Sequence, residues 1–453
     1  MDTALPPGSR LPTPVQTALL WGVPRWWLDR CHRRYGDVFS VRAAPMGTLV
    51  YLADPDDIRT VFAGDPAVYR AGEANSVLSG ILGDSSVLVI DGQRHRERRR
   101  QMLPPFHRDA VRRQAEQMAA IAAADVATWP VHRELAVAPR MSAITLEVIL
   151  QVVIGSRDEG RLAALRRALP PVVNMGALAT AAMVRPSLLA RRPWRGVRRV
   201  RAEADRLLHA EIAACRADPA LDERTDVLAM LVRTTDEDGR GMTDTELRDQ
   251  LMTLLLAGHE TTATGLSWTL ERLVRHPDVL ARAVRAADVG DDEYLDAIVR
   301  ESLRVRPVIF DVARRLAAPV ELGGHRLPAG VIVSPGIGFV QSSPRHYPDP
   351  LRFDPDRMVG ATLTPTTWLP FGGGGRRCLG ATFAQVEMRV VLREVLRSVE
   401  LATTSAPAER QRAKHITLVP HRGARIRVRA RRPDAPGHAE TTIAGAVPSR
   451  SRA

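Results

Sequence analysis

The sequence predicts a mainly α protein with small β sheets. Residues 112–216 are rich in Ala, Leu, Arg and Glu with apolar residues at helical spacing, so several helices are expected there. A capping box at residues 243–246 opens a second apolar pattern that continues to His276, before Pro277. This pattern indicates one helix of about 34 residues, roughly 50 Å long, through the middle of the molecule. Strand-like alternation occupies short segments, such as residues 38–41 and 48–52, and predicts a small sheet.

The composition is that of an ordinary globular protein. The chain has 453 residues, of which 45% are hydrophobic and 25% charged, so a sizeable core is possible. A length prior suggests about three domains, although single-cored enzymes reach this size. The three cysteines, Cys31, Cys215 and Cys378, are an odd number and far apart. A disulfide framework is therefore not expected, and a reducing, cytoplasmic location fits.

The net charge of +13 restricts the classes of partner. Of the 64 basic residues, Lys414 is the only lysine. Such a charge suits nucleic acid, an acidic membrane or an acidic protein. No zinc-finger spacing occurs and aromatic residues are only 4%, so nucleic-acid binding is not expected, and an acidic electron-transfer protein fits better. The apolar run at residues 18–23 is shorter than the about 20 residues of a membrane span.

The chain divides into three parts. Residues 1–24 are Pro-rich and predict an irregular N-terminal arm, residues 25–431 are expected to form one domain, and the polar residues 432–453 are expected to form a disordered tail. Three tryptophans at the end of the arm and just after it, Trp21, Trp26 and Trp27, either touch a bilayer surface or pack under the first helix. That helix covers residues 26–35 and ends at Gly36.

Residues 371–380 contain four consecutive glycines followed by Arg376, Arg377 and Cys378. The glycines let the loop fold tightly against another group. Cys378 precedes an amphipathic helix, so its thiol lies at a helix N-terminus beside two cations, which favours the thiolate and suits metal ligation. Burial as a small apolar side chain is the alternative. A phosphate-binding loop is excluded because that motif needs Lys and Ser or Thr after its last glycine.

Two polar patches lie on predicted helices. His95 and Arg99 stand at i and i+4 within a basic run, on one helical face, which is either solvated or binds an anion. Residues 257–262, Ala-Gly-His-Glu-Thr-Thr, interrupt the apolar pattern of the long helix. Glycine weakens a helix there by about 1 kcal/mol, and a nearby hydroxyl can capture a backbone carbonyl and bend it. A zinc site is improbable because position 263 is alanine where that motif needs a second histidine.

The spacing Phe-x-x-Gly-x-Arg-x-Cys-x-Gly, filled by Phe371, Gly374, Arg376, Cys378 and Gly380, resembles the haem-binding loop of cytochrome P-450 monooxygenases. Other motifs of that family follow in its chain order: His-x-x-x-Arg, the acid-alcohol helix, Glu-x-x-Arg at 301–304 and Pro-x-Arg at 355–357. The resemblance spans residues 35–429 and implies the cytochrome P-450 fold.

The resemblance also implies a role for each candidate residue. Cys378 is the axial ligand of the haem iron, and Glu260 and Thr261 form a proton relay. The remaining residues expected to bind the cofactor, haem b, are His95, Arg99, Arg314, Arg376, Phe371 and Gly258, the last by leaving room on the haem for dioxygen. Arg315 is an alternative to Arg314 as a propionate ligand. Glu301, Arg304 and Arg357 are implied to form a buried structural network.

The implied activity is the insertion of one oxygen atom from dioxygen into an apolar small molecule, by hydroxylation or epoxidation. Too few residues follow the cysteine helix for an attached flavin or nicotinamide domain, so electrons are expected from a separate ferredoxin or flavodoxin with its reductase, docking near Arg376 and Arg377. Two alternatives are a haem-thiolate enzyme that uses peroxide directly, and a non-catalytic haem-binding sensor. Peroxide-using relatives often lack the acid-alcohol pair that is present here.

Four segments are expected to form the substrate pocket. The glycine-broken residues 72–91 predict a long loop, and residues 308–313 are implied to lie along the haem. Asp311 in that segment either recognises a polar group or faces outward. The resemblance implies that residues 170–193 form a mobile lid pair, while without it they predict a helical hairpin of the core. Residues 416–419 predict a late strand that could return to the pocket.

Overall fold

The computed structural model of the chain describes residues 5–173, 194–364 and 366–433, and helices form most of the regular structure in these ranges. In chain order they are α1 Thr13–Gly22, α2 Pro24–Tyr35, α3 Pro55–Ala63, α4 Ala71–Ala74, α5 Ser79–Leu82, α6 Gly92–Met102, α7 Arg108–Val126, α8 Val137–Val148, α9 Glu159–Val173, α10 Arg195–Arg216, α11 Val227–Arg233, α12 Asp244–Val274, α13 Pro277–Val289, α14 Asp292–Val305, α15 Ile337–Gln341 and α16 Ala381–Ser398. A π-helical turn, Ile149–Val153, continues α8.

The strands are short and form small sheets, which confirms the predicted fold class. They are β1 Val38–Ala43, β2 Gly47–Leu52, β3 Tyr69–Arg70, β4 Arg133–Ala136, β5 Arg314–Leu316, β6 Val320–Leu322, β7 His325–Leu327, β8 Ile332–Pro335, β9 Val399–Ala402, β10 Gln411–Lys414, β11 Thr417–Pro420 and β12 Arg425–Arg431. One sheet has the order β1-β2-β8-β5-β3 and another the order β4-β12-β9, while β6-β7 and β10-β11 are two-stranded.

The long helix α12 runs through the apolar core, as the sequence predicts. Its N-cap is Thr243, whose hydroxyl accepts a hydrogen bond from the Glu246 N–H, completing the predicted capping box. The first half of α12 packs in a cluster with the end of α8 and α10, and the second half packs with α14 and α16. None of the helices in the described ranges combines the length and apolar character needed to cross a membrane.

The N-terminal arm is more ordered than predicted, so its assignment as irregular is wrong for residues 13–22, which form α1. Gln16 explains the difference, because its buried amide donates to the Leu11 carbonyl (2.7 Å) and accepts from the Arg42 N–H of β1 (3.0 Å). Such a long-range contact has no local sequence signal. Of the three tryptophans, Trp27 packs in the core (5% exposed), whereas Trp21 (48%) and Trp26 (56%) are exposed.

Two predicted segments fall largely outside the described residues. Of the expected lid at 170–193, only residues 170–173 at the end of α9 are described. Of the expected tail at 432–453, only residues 432 and 433 are described.

A buried ion-pair network joins α14 to the segment that precedes the cysteine loop, which confirms the predicted structural role. Arg304 donates two hydrogen bonds to the Glu301 carboxylate, both 2.7 Å, and Arg357 donates a third at 3.1 Å. Arg304 also donates to the carbonyls of Gln341 and Pro350 at 2.8 Å. A buried charge needs such partners, so this network holds the chain around Pro350 against the helix.

The glycine loop folds against α3, and Phe62 at the end of that helix is its contact. A Cβ atom at Gly374 would lie 1.9 Å from the Phe62 carbonyl oxygen, and one at Gly373 would lie 2.3 Å from the Phe62 ring. Gly374 also has a φ of +63°. Both the space and the backbone angle therefore require glycine at position 374.

We expect Gly374→Ala to lower the free energy of unfolding by roughly 2 kcal/mol or more, because a side chain is disfavoured at positive φ and would displace Phe62. Gly375→Ala is the matched control, since a Cβ atom there meets nothing within 4 Å. Urea unfolding of both variants measures the difference, and equal loss of stability would contradict the packing role of Gly374.

A second prediction concerns Glu387 of α16. The side chain is buried and its Oε1 has no hydrogen-bond partner among the described residues. Burial raises the pKa of Glu387 well above its usual 4.5, so the folded protein keeps a proton that the unfolded chain releases above that pH. The free energy of unfolding should therefore decrease as pH rises above 4.5, and Glu387→Gln should weaken this decrease. Denaturant unfolding across pH measures both slopes; the exposed Glu400→Gln is the control and should keep the wild-type slope.

Candidate active site

Cys378 stands at the end of the glycine loop, just before α16. Its N–H donates to the Phe371 carbonyl at 2.9 Å, which closes the loop, while the Phe371 ring meets the edge of Trp368. Cys378 has accessible surface although protein surrounds the thiol, as expected on the wall of an internal cavity. Burial raises the pKa of Cys378, and the Gly380 N–H, Arg377 and Arg99 oppose this. Desolvation therefore has a larger effect on the pKa of Cys378 than the helix N-terminus and the cations, which the sequence predicts to favour the thiolate.

A cluster of basic side chains lies beside the loop. His95 and Arg99 come from α6, Arg314 from β5 and Arg376 from the loop itself. Burial, with Arg376 and Arg99 nearby, lowers the pKa of His95 to about 4. Burial, with Arg376 nearby, lowers the pKa of Arg314 to about 10. The chain thus brings together four of the residues predicted to bind the cofactor.

This basic cluster fits an anionic group. Arg376 is paired with Asp91 and donates to the Val87 and Ile90 carbonyls, at 3.1 and 2.6 Å. Among the described residues, Asp91 is the carboxylate that faces the cluster, so the guanidinium groups of Arg99, Arg314 and Arg376 exceed it in charge. Enclosed cations are stable only when paired. The two propionate groups of a haem would supply the missing negative charge beside the Cys378 thiol.

Arg314 and Arg315 point in different directions, which bears on the question, left open by the sequence, of which one faces the cofactor. Arg314 is buried, points toward Arg376 and lies 5.9 Å from the Phe62 ring centre. Arg315 points away, with its Nε 3.6 Å from Glu73 and a hydrogen bond to the Gly330 carbonyl. Alternation along β5 sends neighbouring side chains to opposite faces, so Arg314 is the one in the basic cluster.

The polar patch of α12 forms a second accessible surface inside the protein. Ala257 is exposed and Thr261, one turn later, is half-buried, although Leu255 and Thr262 beside them are buried. The Thr261 hydroxyl donates to the Ala257 carbonyl at 2.6 Å, the capture that the sequence predicts. Accessible surface in the middle of a core helix indicates a cavity along this face.

Gly258 has a packing role next to this face. A Cβ atom at Gly258 would lie 3.1 Å from Cδ1 of Ile149, in the π-helical turn after α8. That distance is tighter than an ordinary contact, so glycine lets α12 approach this turn closely. Glycine at position 258 is therefore also required for packing, in addition to its expected role of making room for dioxygen.

Neighbouring residues of α12 turn to opposite sides. His259 is buried against α8, with Nδ1 2.9 Å from the Thr145 hydroxyl and Nε2 3.1 Å from Ser142. Burial and nearby Lys414 lower the pKa of His259 to about 4. Glu260 instead faces the β10-β11 hairpin, where its Oε1 is 3.0 Å from Nζ of Lys414. The residues described contain no cluster of three or more His, Cys, Asp and Glu side chains able to hold a metal.

The predicted pocket loop, residues 72–91, consists of α4, α5 and turns, and α12 holds it by contacts that the sequence reasoning missed. Asp249 accepts from the Ser85 N–H (3.0 Å), Gln250 accepts from the Val87 N–H (3.0 Å), and Thr253 donates to Ser86 (2.7 Å). The available sequence signal was the pair of polar residues Asp249 and Thr253, which stand four positions apart on one face of the helix.

The late strand returns to the pocket segment as predicted. In β11 the Leu418 N–H donates to the Val308 carbonyl at 2.8 Å, and Ile309 pairs with Thr417. Asp311, in the same segment, is partly exposed and lies near Ser334 and Tyr51. Burial raises the pKa of Asp311 to about 6.

Comparison with known proteins identifies the family. Residues 6–426 match the family described as Cytochrome P450. The chain is 62% identical over 448 residues to cytochrome P450 135B1 of Mycobacterium tuberculosis (strain ATCC 25618 / H37Rv), covering 98% of this chain and 95% of that protein. It is 41% identical over 431 residues to cytochrome P450 135A1 of the same strain, covering 94% and 96%.

Solved structures agree on the fold. The heme domain of cytochrome P450DA has a TM-score of 0.78 at 25% identity, with 96% of this chain and 98% of that chain covered. Retinoic acid-bound cyanobacterial CYP120A1 has a TM-score of 0.81 at 23% identity, with 94% and 99% covered. With an accessible thiol at Cys378 and a cluster of basic side chains beside its loop, the chain belongs to the cytochrome P450 family and is a haem-dependent monooxygenase.

Proposed function

We propose that this enzyme hydroxylates or epoxidises an apolar small molecule of lipid, terpenoid, steroid or polyketide type in the cytoplasm, using dioxygen and electrons from a separate ferredoxin or flavodoxin. The observation that carries this is the accessible surface of Cys378 together with that of the Ala257 and Thr261 face of α12. The accessible groups are a metal-ligating thiol and an alcohol, as the chemistry requires.

The residues present would hold haem b by two kinds of contact. Cys378 would provide the thiolate ligand, and His95, Arg99, Arg314 and Arg376 would receive the propionates, while Phe371 begins the loop that carries Cys378. When bound, haem ligated by a thiolate supplies the redox chemistry that activates dioxygen. Gly374 and the Phe62 contact keep the thiol in place, since the loop can pack there only with glycine.

The acid-alcohol pair, Glu260 and Thr261, would deliver protons from the α12 face of the site. The Thr261 hydroxyl donates to the Ala257 carbonyl, which keeps it at the accessible face of α12. Its oxygen remains able to accept a hydrogen bond from a proton donor. Glu260 stands next to it on the solvent side and can pass protons inward. The apolar residues around α12 keep bulk water away from this face.

The electron donor would dock on the outer side of the cysteine loop. A groove of about 410 Å³ lies there, and its lining includes Arg300, Arg377 and Gln385. Arg377 is exposed, whereas Arg376 is turned inward to Asp91. Of the two arginines, Arg377 is therefore the one that a docked donor would contact. An acidic partner suits the exposed cations and the net charge of +13.

The two alternatives are separable by turnover. A peroxide-using enzyme would form product from peroxide without an electron donor, and a sensor would form none. Product formation with a surrogate ferredoxin and reductase, in the presence of dioxygen, supports the monooxygenase. Ligands for this assay come from screening for compounds that shift the haem absorption spectrum.

Cys378→His should abolish the red-shifted absorption band of the reduced carbon-monoxide complex, because that band requires a thiolate ligand. Cys215→Ala is the control, since Cys215 is buried between helices away from the loop. The measurement is a reduced difference spectrum, and an unchanged band in Cys378→His would refute the ligand assignment.

Thr261→Ala should uncouple electron consumption from product and release peroxide, since the alcohol beside Ala257 is lost. The adjacent Thr262→Ala is the control because Thr262 is buried away from the accessible face. Product, peroxide and consumed electrons are measured together, and full coupling in Thr261→Ala would argue against the relay.

A further inference from the structure

The carboxylate of Glu260 is held by the β10-β11 hairpin. Its Oε1 lies 3.0 Å from Nζ of Lys414 and 3.4 Å from the Thr417 hydroxyl oxygen, while Oε2 lies 4.0 Å from Nδ1 of His415. Lys414 is the only lysine among the 64 basic residues. Three neighbouring hairpin residues thus surround one carboxylate of the proposed relay.

The hairpin presents Lys414 from a fixed base. Lys414 pairs with Thr417 across the two strands, and the Thr417 hydroxyl donates to the Lys414 carbonyl at 2.8 Å. The next residue, Leu418, accepts from Trp268 Nε1 of α12 at 2.8 Å. The hairpin is therefore anchored on α12, the helix that carries Glu260, and it presents Lys414 to the Glu260 carboxylate.

Glu260 and Thr261 are not joined in this arrangement. Within the described ranges no hydrogen bond connects their side chains, and the Thr261 hydroxyl donates to Ala257 instead. The side chain of Lys414 is 33% exposed and that of Glu260 is 14% exposed, so the pair lies at the boundary between solvent and the inner face of α12. To form a hydrogen bond with Thr261, the Glu260 carboxylate would have to move from this position beside Lys414.

We propose that Lys414 is a positioning residue that retains the Glu260 carboxylate at the hairpin and so limits proton delivery to Thr261. This inference rests on the proposed function, because it deepens the role given there to Glu260. A partly exposed ion pair contributes up to about 1 kcal/mol, so removing it should change the availability of Glu260 by at most about fivefold.

The first test uses amine acylation of the holoenzyme, followed by mass spectrometry. With one lysine in the chain, the primary amines are Lys414 and the α-amino group. Glu260→Gln should accelerate acylation of Lys414 by up to about fivefold, since the carboxylate no longer contacts the ammonium group. The α-amino group is the internal control and should react at an unchanged rate. An unchanged rate at Lys414 would overturn the proposal.

The second test measures dioxygen consumption with a surrogate ferredoxin and reductase, without substrate. Lys414→Met should raise consumption by up to about fivefold by releasing Glu260, and Lys414→Arg should restore the wild-type rate because it keeps the cation. Arg412→Met is the matched control, an exposed cation on the same strand. The Glu260→Gln, Lys414→Met double variant should match Glu260→Gln alone.

The outcomes separate the two proposals. If Lys414→Met leaves consumption unchanged while Thr261→Ala still uncouples the enzyme, the relay stands and the role of Lys414 is wrong. If acylation responds to Glu260→Gln but neither Glu260→Gln nor Thr261→Ala alters coupling, the ion pair exists without controlling a relay, and the positioning role is again wrong. A thiolate-type carbon-monoxide band in every variant verifies that the haem site is intact.

Discussion

An excess of positive charge enclosed beside Cys378 is the constraint on which the rest of this site depends. Arg99, Arg314 and Arg376 come from a helix, a strand and a loop, and Asp91 is the carboxylate that faces them in the described ranges. Cations held together in this way repel each other and lose hydration. A dianionic cofactor relieves both costs at once, so its binding stabilises the arrangement of three distant segments.

The two sides of the cavity are built by different means. On the cysteine side, glycine allows backbone to pack on backbone, and the Gly374 contact with Phe62 leaves little freedom of position. On the α12 side, polar side chains do the work, with Asp249 and Thr253 holding the pocket loop and Thr261 bound to its own helix. The first side suits a fixed metal ligand, while the second keeps hydroxyls and carboxylates that can exchange partners.

The ion pair between Glu260 and Lys414 connects α12 to the β10-β11 hairpin. That hairpin is also paired with residues 308–309, which lead to Asp311. Under the proposed function, a ligand that displaces this segment would also act on the position of Glu260, so substrate contact and proton supply would share one structural element.

Much of this protein follows from its sequence alone. The fold class, the position of α12 with its capping box and the strand pair were predictable because periodicity and caps are local signals, whereas the ion-pair partners of Glu301 followed from the resemblance to a family. Sequence also brought His95, Arg99 and Cys378 forward as cofactor residues through the resemblance to a family. Only the tertiary structure distinguished Arg314 from Arg315, turned Arg376 inward, ordered α1 through Gln16 and joined Glu260 to Lys414 across 154 positions of chain. These results depend on contacts between segments far apart in the sequence and on desolvation, which no local pattern encodes.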